Sequence, residues 1–134
     1  MEQLRFGLSF LALILSVLLA ISCGAGARSS TATGQLQSIT LSPASADTEI
    51  AQFVATGHYI NPPQTVTPQP ALWGVCYQGA PTSEVTVTKE GLAQCTSGAS
   101  GTYTVFALQQ TECNLVNACG GGCTIVGTAQ LTCP

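Results

Sequence analysis

Charge is what this chain has least of. Only 7% of its 134 residues are Asp, Glu, Lys or Arg, three of them basic and six acidic, giving a formal net charge of −3. So few cations cannot neutralise a row of phosphates, which excludes nucleic acid and leaves no polybasic patch for an anionic lipid surface. Histidine occurs once, at His58, and tryptophan once, at Trp73. There is no Gly-x-Ser-x-Gly elbow, no Cys-x-x-Cys pair and no Gly-Lys-Ser/Thr phosphate loop, so no motif points to acyl transfer, thioredoxin-like exchange or nucleotide binding. His58 has no acidic residue at a strand-compatible spacing. Carboxylate pairs can be built only from Asp47 with Glu49 or Glu84 with Glu90, each near a strand end or turn, where solvated surface charge is the ordinary reading. The chain is therefore expected to be no enzyme and to hold no cofactor and no metal.

What is abundant at the start is apolar. After one Arg in Met1–Arg5, Phe6–Ile21 is an almost unbroken hydrophobic run of 16 residues. That is short of the ~20 needed to span a bilayer and has the form of a secretory signal. Small residues then lead into a cysteine, Ala20–Ile21–Ser22–Cys23. This segment resembles the lipobox of bacterial lipoproteins, with Ala20 where that pattern prefers Leu. The resemblance implies cleavage after residue 22, acylation of Cys23 and a protein held at the cell envelope by its lipid. Gly24, rather than Asp, follows the cysteine, which favours the outer membrane.

Cleavage leaves 112 of the 134 residues, a common size for one domain. Residues 23–35 read as the lipidated cysteine and a tether of small flexible residues. A reach of ~5–6 Å × √n places the domain on the order of 20 Å from its anchor. From residue 36 to 134 the chain is rich in Thr, Ser, Gly and Ala, and short alternating runs are cut by turn residues. The predicted strands are Gln37–Leu41, Ala51–Ile60, Ala71–Cys76, Ser83–Thr88, Leu92–Cys95, Thr102–Leu108 and Thr124–Cys133. In the second, Phe53, Ala55 and Tyr59 share one face and Gln52, Thr56 and His58 the other. Trp73 and Val75 face one way, with Trp73 the expected core anchor. Lys89–Glu90–Gly91 predicts a hairpin turn in which Gly91 takes a positive φ.

Seven short strands with turn signals every 8–15 residues argue an all-β, immunoglobulin-like β-sandwich. The runs Ile39–Ala44, Gln52–Gly57, Trp73, Val85–Val87, Gly91–Ala93, Gly101–Val105 and Leu131–Thr132 together resemble bacterial Ig-like domains of the group 2 kind. The likeness extends over nearly the whole mature chain. It implies a sandwich of the sort used in adhesins and surface modules, with no chemistry of its own. Six cysteines and a long segment between the last two strands depart from that pattern.

Those six, Cys76, Cys95, Cys113, Cys119, Cys123 and Cys133, are an even set in an exported chain and read as three disulfides, which could pair in 15 ways. A zinc site is the competing reading. Its usual ligand spacing of two Cys-x₂-Cys knuckles is absent. If the strands follow immunoglobulin order, Cys76 and Cys95 end the third and fifth strands at one pole, which makes Cys76–Cys95 the favoured pair. Cys113, Cys119 and Cys123 fall at the opposite pole, so either the Gln109–Cys123 insertion folds down the side to bring one cysteine to Cys133, or the strand boundaries differ there. Loops on a rigid sandwich carry recognition. The expected function is a binding or adhesion module that meets a protein or glycan through Asn61–Pro70 and Thr111–Cys123; the alternative is a structural component of an envelope assembly.

Overall fold

The computed structural model describes residues 33–109 and 113–134. The apolar run Phe6–Ile21, Cys23 and the tether as far as residue 32 lie outside the described residues, so the expected signal and lipidation site are not among them. The described chain is all-β apart from one short helix. Its elements are β1 Gln35–Ser42, β2 Ser45–Asp47, β3 Ile50–Gln52, β4 Val54–Ile60, β5 Gln64–Val66, β6 Leu72–Tyr77, β7 Ala80–Pro81, β8 Val85–Val87, β9 Leu92–Cys95, β10 Gly101–Leu108, α1 Leu115–Cys119 and β11 Val126–Cys133. All seven predicted runs form strands, the second as the pair β3 and β4. The short edge strands β2, β5 and β7 carry too few alternating apolar residues to be seen in advance.

The strands build a sandwich. One layer runs β2-β11-β10-β6-β7, with β2 parallel to β11 and the other pairs antiparallel. The other consists of β1-β4-β5 and β3-β9-β8, joined because the chain from Ile50 to Ile60 passes almost without a break from β3 into β4. The break is at Phe53, whose N–H donates instead to Gly91 O at 2.9 Å. Period-two alternation decides which side chains enter the core. Phe53, Ala55, Tyr103, Val105, Ala107, Ala129 and Leu131 are almost wholly buried between the layers. Leu36 and Ile39 are three residues apart, the wrong parity for one face. A bulge between Leu36 and Ser38 shifts the register so that both point inward. Trp73 is only half-buried at the margin of this core, so its expected place as central anchor is taken by Phe53 and Tyr103.

The three disulfides are Cys76–Cys119, Cys95–Cys133 and Cys113–Cys123. All six cysteines are bridged, and the expected Cys76–Cys95 pair is overturned. Alternation along β6 is the reason. Val75 points into the core, so Cys76 points out, joining Phe106 and Leu108 in a second apolar cluster on the outer face of the β10/β6 sheet. From there it cannot reach Cys95, which packs against the inner core, where Cys133 is buried. The insertion folds over this outer face. It brings Cys119 to Cys76, whereas the partner expected for one of its cysteines was Cys133. Asn114 caps α1, accepting from Asn117 N–H at 2.9 Å. Gly74 makes the close packing feasible, since a Cβ there would lie 2.3 Å from Phe106 Cζ and 3.0 Å from Leu115 Cδ2.

Glu84 has a structural task. The Tyr103 hydroxyl donates to Glu84 Oε2 at 2.7 Å and lies 3.3 Å from Ser100 O, tying the start of β10 to the residue that leads into β8 in the other layer. The hydrogen bond to Glu84, then burial, then the carboxylate's charge raise the Tyr103 pKa above its ordinary value. Above pH ~10 the folded state therefore holds this proton more tightly than the unfolded state. The contribution is complete below the unfolded pKa and is lost as pH rises through the folded one. Urea midpoints measured between pH ~8 and ~11.5 are expected to show an alkaline fall that Tyr103→Phe lacks; an equal fall in both proteins would contradict this.

Candidate binding site

At one end of the sandwich, Gln35 pairs with Ile60 and Leu108 with both Leu72 and Val126. The β5–β6 connection runs from Val66, opposite Gly57, back along β4 to Ala55, and the β8–β9 turn points toward this end. Between the two lies a groove of about 250 Å³. Trp73 lines it, with Val54, Pro68 and Pro70 on one wall and Lys89 and Glu90 on the other.

Each wall is held by identifiable bonds. On the proline side, Val66 is buried and β5 pairs with β4. Gln69 N–H donates to Ala55 O at 2.8 Å. The Gln69 side chain is buried, accepting from Tyr59 OH at 2.9 Å and donating to Pro70 O at 3.3 Å. Gly57 leaves room for that amide, because a Cβ there would lie 2.4 Å from Gln69 Oε1. On the turn side, Thr88 N–H donates to Leu92 O at 2.9 Å and Gly91 N–H to Thr88 O at 3.0 Å. The Gln52 amide donates to Glu90 O at 2.8 Å. The main chain on both walls is thus fixed, while the charged ends at the rim are free to move. Lys89 Nζ and Glu90 Oε1 are 3.7 Å apart, with side chains 90% and 64% exposed. An exposed pair of this kind adds little to stability and leaves both groups available to a ligand.

Of the two expected recognition segments, Asn61–Pro70 therefore supplies one wall of the groove through Pro68 and Pro70. The other, Thr111–Cys123, has its first two residues outside the described part, and no residue from 113 to 123 lines the groove. It covers the outer sheet face instead, so the two segments do not form one surface. Gln69 gave no sign of its anchoring role, being one polar residue between two prolines. Lys89 was visible only as a turn residue, and Glu90 as a turn residue and a possible partner for Glu84, not as part of a groove.

The remaining candidates are dispersed. His58 is half-buried on the outer face of β4, its Nε2 3.1 Å from Thr40 Oγ1. Asp47 and Glu49 are exposed, and Glu84 and Glu90 belong to the Tyr103 contact and the groove rim. A wider depression of about 530 Å³ at the opposite end is lined by Glu49 and the Thr96–Ser100 loop, without an aromatic side chain. A depression of about 320 Å³ on the outer face of β6 is lined by Phe106, but that ring is almost wholly buried, whereas Trp73 is half-exposed. Aromatic anchors dominate recognition energetics, which favours the Trp73 groove. No family model matches the chain, and no curated protein matches it either.

Proposed function

We propose that this protein is an exported envelope lipoprotein, anchored through Cys23, whose sandwich binds a protein or glycan in the Trp73 groove. The observation that carries the reading is that the chain's one tryptophan is half-buried in a groove whose walls are hydrogen-bonded to a rigid, disulfide-closed framework. The immunoglobulin-like assignment is supported by strand order, with β1, β3/β4, β9 and β8 facing β11, β10 and β6. It is supported too by the contact of Tyr103 OH with the carbonyl three residues upstream, which has the form of a tyrosine corner. The bacterial group 2 resemblance is part of the same proposal. Export and lipidation rest on Phe6–Cys23, with the outer membrane favoured. The weak cationic character argues against nucleic acid as a partner.

A photoreactive residue placed at Lys89 is expected to cross-link its ligand in intact cells, whereas one at Ser97, at the opposite end, is not. Adducts from Ser97 alone would overturn this choice of site. For the anchor, several acyl chains give stable attachment where one is marginal. Cys23→Ser is accordingly expected to move the protein from the detergent phase to the aqueous phase or leave it unprocessed. Normal maturation with unchanged membrane retention would count against lipidation. The structural alternative has one observation in its favour: Leu115 and Val116 on α1 are 41% and 67% exposed, an apolar pair that a larger assembly could cover.

A further inference from the structure

We infer that the Trp73 groove takes a single uncharged pyranose ring, stacked on the indole and hydrogen-bonded at its edge by Lys89 and Glu90; this rests on the groove being the binding site. Size sets the first limit. At about 250 Å³ the space is below the ~300–1,000 Å³ of sites for drug-sized ligands, and it suits one ring.

Hydrogen-bonding capacity sets the second. Most N–H groups of the walls are absent or occupied: Pro68 and Pro70 have none, Gln69 N–H is taken by Ala55 O, Phe53 N–H by Gly91 O and Glu90 N–H by Thr88 Oγ1, while Glu90 O accepts from Gln52. An extended peptide adding to a strand needs a row of unpaired main-chain groups, and these walls do not present one. The Gln69 side chain is committed to Tyr59 and Pro70. The rim side chains left for a ligand are Lys89, which only donates, and Glu90, which when ionised only accepts. A fitting ligand must therefore offer an acceptor and a donor side by side beneath one apolar face. Adjacent sugar hydroxyls do both, and the C–H face of a pyranose meets the negative face of the indole. A polyproline segment offers ring faces and carbonyl acceptors but no donor for Glu90. Charge sets the third limit. One cation and one anion 3.7 Å apart leave the rim neutral, so a ligand with net charge gains at one group and loses at the other.

The test uses the natively processed protein with its disulfides intact, and Trp73 as the sole indole reporter. Methyl glucoside, methyl galactoside and N-acetylglucosamine are each titrated to ~100 mM, with glucuronate and an acetylated proline hexamer as counter-probes. At least one neutral sugar is expected to move the Trp73 indole N–H resonance saturably, with Kd of ~1–10 mM, weak as befits a single ring. Lys89→Ala and Glu90→Ala should each weaken binding about ten-fold, the loss of one charged hydrogen bond, without changing the melting temperature. Silence toward all three sugars, tighter binding of glucuronate than of any neutral sugar, or affinity indifferent to both substitutions overturns the sugar assignment. If the proline hexamer alone moves Trp73, the sugar fails while the groove survives as the site. If no probe moves Trp73 and cross-links form only from Ser97, both readings fall.

Discussion

Replacing Cys95 and Cys133 together by alanine is expected to lower stability by about 4 kcal/mol. Loop-closure entropy alone gives roughly that figure for a bridge 38 residues apart in sequence. The same reasoning gives a similar value for Cys76–Cys119, separated by 43 residues, and about 3 kcal/mol for Cys113–Cys123, separated by 10. Surroundings separate the three. Cys133 is buried in the main core and Cys95 packs against it, so this bridge ties the end of β9 to the end of β11 across the two layers. Both other bridges hold the insertion, whose helix has no buried residue. Opening them is expected to free residues 113–123 from the face formed by Phe106 and Leu108 while the sandwich persists. For a domain of this size, 4 kcal/mol corresponds to a fall in Tm of ~15–30 °C, a large part of a total near ~5–15 kcal/mol. Thermal melts of the paired-alanine variants, followed by circular dichroism, decide the order. A larger loss from Cys113/Cys123 than from Cys95/Cys133 would show that the insertion carries more of the fold than its burial suggests. Hydrogen exchange supplies the second reading: the 113–123 amides should lose protection first as a dithiol reductant is added.

The layers were legible because alternation at period two is a local property. Ile39 and Leu41, Phe53 and Ala55, and Val105 and Ala107 are each two residues apart, and each pair lies in the core. The disulfide partners were not legible, although the same alternation bears on them. Cys76 follows Val75 directly, so once Val75 is placed inside, Cys76 is outside. What the sequence does not contain is where an insertion comes to rest. Its path over the outer sheet face depends on Gly74 making room for Phe106 and Leu115, a contact between segments more than thirty residues apart in the chain. The groove was half legible for the same reason. Prolines 68 and 70 marked a recognition segment, but their neighbours across the groove come from a turn at residues 88–91 that only the folded sandwich brings near them.

Gly91 is where a local expectation and a distant contact meet, and its replacement by alanine is expected to be among the most damaging single changes. Its φ is +85°, left-handed backbone that costs an L-residue ~1–2 kcal/mol. Space is the second penalty. A Cβ at this position would lie 2.3 Å from Phe53 O and 2.8 Å from Trp73 Cζ2. The nearer atom is main chain, and it belongs to the residue whose N–H donates to Gly91 O where β3 passes into β4, so it cannot swing aside as a flexible side chain would. Crowding of a packed site adds ~1–3 kcal/mol, for a total of about 2–5 kcal/mol. The displacement also has a direction. Moving the turn away from Phe53 carries Lys89 and Glu90 with it and pushes on the indole, so Gly91→Ala should alter the Trp73 emission of the folded protein as well as its urea midpoint. Gly98→Ala is the control. Its φ is +90°, but a Cβ there meets nothing within 4 Å, so only the backbone cost of ~1–2 kcal/mol applies and the emission should not change. Equal losses at the two glycines would mean that the contact with Phe53 and Trp73 contributes nothing, and that backbone conformation alone requires glycine at both positions.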